Sequence, residues 1–156
     1  MKRCKSCGSE PARRETADLS GSSSGRRGVK NEVRITVRAF PYLTCDCGAE
    51  RRFLYPDFGA EYRPHLSEDL PHAERSLFGK PCCSGCDERL SDAGPTPEAF
   101  GLRIDLEKAG PITTELVVPA VRCAACGKTQ ALFDRQLDSD ISEALIAAMD
   151  GQAIRP

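Results

Sequence analysis

The chain has no tryptophan, and its other aromatic residues are three tyrosines and six phenylalanines among 156 residues. Side chains of this size dominate the energetics of ordinary cores, so their scarcity argues against a fold that stands on packing alone. Small units usually need a metal ion or disulfides to hold them. Long apolar runs are missing too. The longest resemble "ALIAAM", far short of the roughly 20 residues a membrane-spanning helix requires. The opening "MKRCKSCGSE" contains no apolar stretch of the kind an export signal needs. Histidine occurs only twice and the net charge is −1, so neither a histidine-rich metal site nor bulk attraction to polyanions is suggested.

Cysteine, by contrast, is plentiful at nine residues. With no export signal the expected location is the cytoplasm, where thiols stay reduced and paired cysteines read as metal ligands. An odd number also suits a disulfide framework poorly. Eight of the nine form pairs: Cys4/Cys7, Cys45/Cys47, Cys83/Cys86 and Cys123/Cys126. Cys4 and Cys83 are 79 residues apart, Cys45 and Cys123 are 78 apart, and Cys47 and Cys126 are 79 apart. Pro41 and Pro119 each stand four residues before the second pair of their half. "LTCDCGAERRFL" and "VRCAACGKTQALF" also repeat a pair of large apolar residues after the cysteines. The chain reads as a duplicated unit.

Each unit offers four thiolates from two short turns, the donor set of a structural zinc ion with a closed tetrahedral shell. A two-residue spacer lets one tight turn aim both sulfurs at a single ion. Gly8, Gly48 and Gly127 follow the second cysteine of their pairs, where a positive φ turns backbone N–H groups toward sulfur. Asp87 takes that place in the remaining pair, and Cys45-Asp46-Cys47 is one residue short. Cys83 has the correct spacing to Cys86, which leaves Cys82 as the spare thiol. The predicted metal ligands are Cys4, Cys7, Cys45, Cys47, Cys83, Cys86, Cys123 and Cys126, holding two structural Zn2+ ions.

Between the pairs the sequence alternates as a half-buried strand does. "VRITVRAF" places Val33, Ile35, Val37 and Ala39 on one face, and "FGLRIDLEK" places Phe100, Leu102, Ile104 and Leu106 likewise. Proline before each second pair suggests a strand end or a sheet edge. Two cysteine turns joined by antiparallel strands make a zinc ribbon. The pairs, the β-type insert and the Pro-x-x-x-Cys-x-x-Cys-Gly approach resemble the zinc-ribbon superfamily. "ELVVPAVRCAACGK" is similar to the zinc-binding domain of the YgiT-type antitoxins. The resemblance covers about fifty residues of each half and implies structural rather than catalytic cysteines. Those antitoxins carry a separate helix-turn-helix domain, for which this chain shows no segment.

The expected architecture is therefore a small, metal-stabilised, β-rich (α+β) protein: a first zinc ribbon over 1–56, a connector with a short helix over 57–81, a second ribbon over 82–135 and a terminal helix over 136–156. Ser67 and the following "EDLPHAERSLFGK" place the connector helix before Gly79, and Asp140 caps the terminal one, with Ile141, Leu145, Ala148 and Met149 as its apolar stripe. His65 and His72 are surplus to two complete cysteine sets. Asp57-Phe58-Gly59 and Gly127-Lys128-Thr129 imitate kinase and P-loop fragments without the motifs that should accompany them.

No serine, histidine or carboxylate constellation suggests catalysis, so the expectation is a non-catalytic module mediating macromolecular interaction. The first 56 residues hold 12 Lys or Arg against 6 Asp or Glu. That bias, with Arg26 and Arg27 in a Gly/Ser-rich insert, leaves nucleic acid open as a partner. The near-neutral total and the few aromatics available for stacking favour a protein partner. Two alternatives are an antitoxin-like or transcription-associated regulator and a thiol redox protein using the C-x-x-C pairs. The oligomeric state is not indicated.

Overall fold

The computed structural model describes residues 2–23, 32–75, 79–90 and 94–156. Arg26 and Arg27 lie outside them. Four long strands form the body of one seven-stranded mixed sheet. β1 (Arg13–Ser22) pairs antiparallel with β2 (Arg34–Thr44), and β6 (Thr96–Leu106) pairs antiparallel with β7 (Gly110–Arg122). Three short strands complete the sheet: β3 (Arg51–Arg52) lies against β2, β8 (Thr129–Ala131) against β7, and β9 (Ile154–Arg155) runs parallel to β3. Strands β4 (Glu74–Arg75) and β5 (Pro81–Cys82) form a separate two-stranded sheet. The alternation read in the sequence is realised. Val33, Ile35 and Val37 are buried, as are Leu102, Ile104 and Leu106.

The two halves meet through β2 and β7, which pair antiparallel over Arg34–Arg38 and Thr113–Val117. Thr36 faces Glu115, and these residues stand 79 positions apart, the offset that also separates Cys4 from Cys83. The flanking pairs Ile35–Leu116 and Val37–Thr114 are exchanged by the same offset. A local two-fold axis normal to the sheet therefore relates one half to the other. A β-bulge accounts for the lapse to 78 at the prolines. Ala39 has φ 51° and is the additional residue in β2, with its N–H donating to Asp18 Oδ1 at 2.9 Å. This residue is exposed, and Phe40 takes the buried place.

Pro41 and Pro119 are inside long strands rather than at their ends. On the side away from β1, β2 has already left β7 at Arg38 and reaches β3 only at Leu43. Pro119 fills the corresponding gap in β7, between its pairing with β2 and with β8. Each proline thus occupies a stretch with a ladder on one side only, where a missing N–H costs least.

The helices differ from expectation in position. α1 spans Phe58–Glu68 and precedes the predicted connector helix. Its apolar residues Phe58, Tyr62 and Leu66 recur every four positions and are buried, whereas Pro71 has no N–H to give a helix starting at Ser67 its first i→i−4 bond. α2 spans Arg135–Gly151 and is capped by Asp134, whose Oδ1 accepts from Leu137 N at 2.8 Å. Asp140, the cap expected from sequence, lies inside the helix, buried, and accepts from Gln136 Nε2 at 2.9 Å. The predicted stripe is correct, with Ile141, Leu145 and Ala148 buried and Met149 packed at its edge.

Leu137, Ile141 and Leu145 stand 79 residues after Phe58, Tyr62 and Leu66. Each half is thus a set of antiparallel strands followed by a helix. The helices cross over: α2 lies chiefly on β1, and α1 contacts β6. One apolar cluster consequently draws on both halves, with Phe40 packed edge-on to Phe58 at 5.2 Å and to Tyr62 at 5.9 Å. The buried Tyr62 hydroxyl meets Thr114 Oγ1 at 2.7 Å, which offsets the cost of burying both polar groups. No helix among the described residues is long and apolar enough to cross a membrane.

Two predictions follow the packing. A Cβ on Gly21 would overlap the Ala144 carbonyl oxygen of α2, so Gly21→Ala should lower stability by about 1–3 kcal/mol in urea unfolding of the metal-loaded protein. Arg63 joins the helices through Asp138 Oδ1 at 2.7 Å, and Ser67 Oγ donates to the same oxygen at 2.8 Å. Burial tends to raise the Asp138 pKa, but these partners outweigh it and hold the group below its ordinary value. Asp138→Asn should therefore cost up to about 1 kcal/mol near neutral pH, the pair being partly exposed. The difference should close as pH falls from about 4 through the lowered native value.

Candidate metal centres

All eight predicted ligands converge into two groups of four, Cys4/Cys7/Cys45/Cys47 and Cys83/Cys86/Cys123/Cys126. Within each group the four sulfurs lie within 4.8 Å of one another. Cys4 Sγ is 3.7 Å from Cys47 Sγ, and Cys45 Sγ is 3.5 Å from Cys47 Sγ. In the second group Cys83–Cys126 and Cys86–Cys123 measure 3.5 and 3.6 Å. Metal–sulfur bonds of about 2.3 Å in a tetrahedron put the sulfurs roughly 3.8 Å apart. The spacing suits four thiolates around one ion and is far from the roughly 2.05 Å of a disulfide. Soft sulfur donors in this shape are the ligand set of zinc or iron. Cys82 belongs to neither group, nor does either histidine. Its sulfur lies 3.8 Å from the Lys80 carbonyl.

Local backbone chemistry sets up each turn. Cys4, Cys83 and Cys123 accept at their carbonyls from the N–H four residues on, at 2.9, 2.9 and 2.8 Å. Their own N–H groups donate to the carbonyl five residues on, at 2.8, 2.8 and 2.9 Å. Gly8, Asp87 and Gly127 take φ of 71°, 62° and 79°, so the aspartate adopts the left-handed backbone otherwise given to glycine. The short pair closes differently. Gly48 N–H reaches the Cys45 carbonyl only three residues back, at 3.0 Å, and Cys45 N–H meets Glu50 O at a longer 3.4 Å. Ala49 restores the missing residue after the turn. Thr44–Arg51 and Arg122–Thr129 accordingly pair at equivalent positions.

Electrostatics of the bare sulfurs point the same way. The Ser9 hydroxyl, 3.0 Å from Cys7 Sγ, draws that thiol down to about 6, and the buried Gln130 amide does the same for Cys83. The Glu50 backbone N–H lowers Cys45. Cys47 is pushed up to about 12: the Ala49 N–H opposes the rise, but the sulfurs of Cys45 and Cys7 prevail. Cys86 also rises to about 12, where the Glu88 N–H is outweighed by burial and by the neighbouring sulfurs. Some thiols ionise readily and their neighbours then cannot, because negative charge accumulates between them. A divalent cation removes that conflict.

Gln130 was not identified from sequence. It is fully buried; its Nε2 donates to Cys83 Sγ at 3.2 Å, and its Oε1 accepts from Ser84 N at 2.9 Å and Ser84 Oγ at 3.1 Å. A polar residue in the alternating "TQA" strand facing a cysteine turn was the available signal. No protein-family model, curated protein or solved structure matches the chain.

The geometry makes the ligand set testable by substitution. Serine at Cys83 should remove one metal ion per chain in elemental analysis, whereas Cys82→Ser should leave the metal content unchanged.

Proposed function

We propose that this chain is a non-catalytic zinc-binding module: two tandem zinc ribbons that present loops and a sheet face to a macromolecular partner in the cytoplasm. The observation that carries the reading is the convergence of eight thiols into two tetrahedral-sized clusters. Each ion would be held by Cys4, Cys7, Cys45 and Cys47, or by Cys83, Cys86, Cys123 and Cys126. Zinc supplies no redox chemistry in such a closed site; it supplies folding free energy, on the order of 10 kcal/mol per ion.

A protein partner is favoured over nucleic acid. The net charge of −1 offers little general attraction to phosphate. Both helices turn their main apolar stripes to the interior, with Ile146 of α2 left exposed, which supports a binding role for strands and loops rather than for a groove-reading helix. An antitoxin-like or transcription-associated regulator is one form this role could take. The thiol redox alternative has less support, since in the second cluster the short sulfur contacts run between turns, not within one C-x-x-C pair.

Elemental analysis of protein purified under reducing conditions should give two zinc ions per chain; iron in these sites would announce itself by visible colour. A chain free of both metals that stays compact in chelator would sink the proposal. For the partner, tagged protein should retain a specific protein from lysate, and a salt titration against RNA and duplex DNA should show no salt-sensitive binding.

A further inference from the structure

We infer that the two cysteine sites are not equivalent: the second is a permanent site fixed by Gln130, and the first is the exchangeable one. This rests on the zinc-binding reading above.

The inference comes from what surrounds the sulfurs. In the second site Gln130 is wholly buried, and its amide is held from both ends. Ser84 donates twice to Oε1, and Nε2 reaches both Cys83 Sγ at 3.2 Å and the Lys128 carbonyl at 3.5 Å. Lys128 Nζ donates to Ser84 Oγ at 2.8 Å, placing a positive charge beside the cluster. Four thiolates around a divalent ion carry a net charge of about −2, so an oriented amide and a nearby ammonium both stabilise the loaded form.

The first site has the opposite surroundings. Arg52 stands at the strand position of Gln130, facing Leu43 as Gln130 faces Val121. Its guanidinium turns to Glu50 Oε2 at 3.4 Å and to the Pro156 carbonyl at 3.2 Å. The place of the amide oxygen is taken by Glu50, whose Oε1 accepts from Lys5 N at 3.1 Å. A carboxylate thus stands near a cluster that is already negative. Sulfur receives backbone donors at 3.4 Å from Ser6 and 3.5 Å from Glu50, each longer than the 3.2 and 3.3 Å bonds to Cys83. The Ser9 hydroxyl does help Cys7 at 3.0 Å, but that bond is exposed to water. The one-residue-short turn at Cys45 also stretches its closing backbone bond to 3.4 Å. Longer backbone bonds, and a short one open to water where the second site has a buried amide, resist displacement of the ligands less.

The test follows metal leaving the full-length, zinc-loaded protein in excess EDTA. Release should occur in two phases of one ion each. Thiols trapped by N-ethylmaleimide at the end of the fast phase should map to Cys4, Cys7, Cys45 and Cys47, with Cys82 labelled from the start. Gln130→Leu should speed the slow phase by about 10- to 100-fold and leave the fast phase alone. A single phase, early trapping of Cys83 or Cys123, or equal acceleration of both phases would overturn the inference. The trapping result on the unmodified chain decides the matter even if the variant does not fold. Protein that never carried metal would overturn the zinc reading itself, whereas two ions leaving together would overturn only the inequivalence.

Discussion

Four sulfur atoms within 4.8 Å of one another are tolerable as thiols and intolerable as four thiolates unless a cation lies among them. This constraint is met twice in the chain, and much of the local structure serves it. Positive φ at the residue after each of the four second cysteines, paired backbone bonds around each turn, and strands that begin or end at the cysteine turns all deliver sulfur to a common point. An ion bound at each point would add folding free energy to an interior with no tryptophan and few other aromatics.

The two corners do not belong to separate small bodies. Pairing of β2 with β7 makes one sheet, and the crossing of α2 onto β1 and of α1 onto β6 makes one apolar interior. The arrangement has the logic of a symmetric dimer written into one chain, with Thr36 and Glu115 at the axis. Departures from that symmetry are local and physical. The bulge at Ala39 absorbs one residue, the Cys45–Cys47 turn gives one up, and Gln130 has no counterpart in the first half.

Much of the candidate site was legible because cysteine spacing is a geometric code. Turns that bring two sulfurs to one ion admit few lengths, and repetition at a constant offset is improbable by chance. The strands were legible through alternation, and the stripe of α2 through its period. The connector helix was misplaced because the capping pattern at Ser67 competed with a buried Phe58–Tyr62–Leu66 stripe that becomes recognisable only once a sheet lies beneath it. Gln130 was passed over for a related reason: a glutamine in a strand ordinarily faces water, and only the fold puts this one under a sulfur.

From residue identities alone came the eight thiols, their division into two sets of four, the alternating strands and the doubling of the unit, because each depends on spacing along the chain. The tertiary structure decided that the halves share a sheet and a core, and that their helices exchange partners. It also decided that one corner receives a buried amide where the other receives a carboxylate. Those outcomes depend on which surfaces meet across 79 residues of chain, and no local pattern of side chains records that.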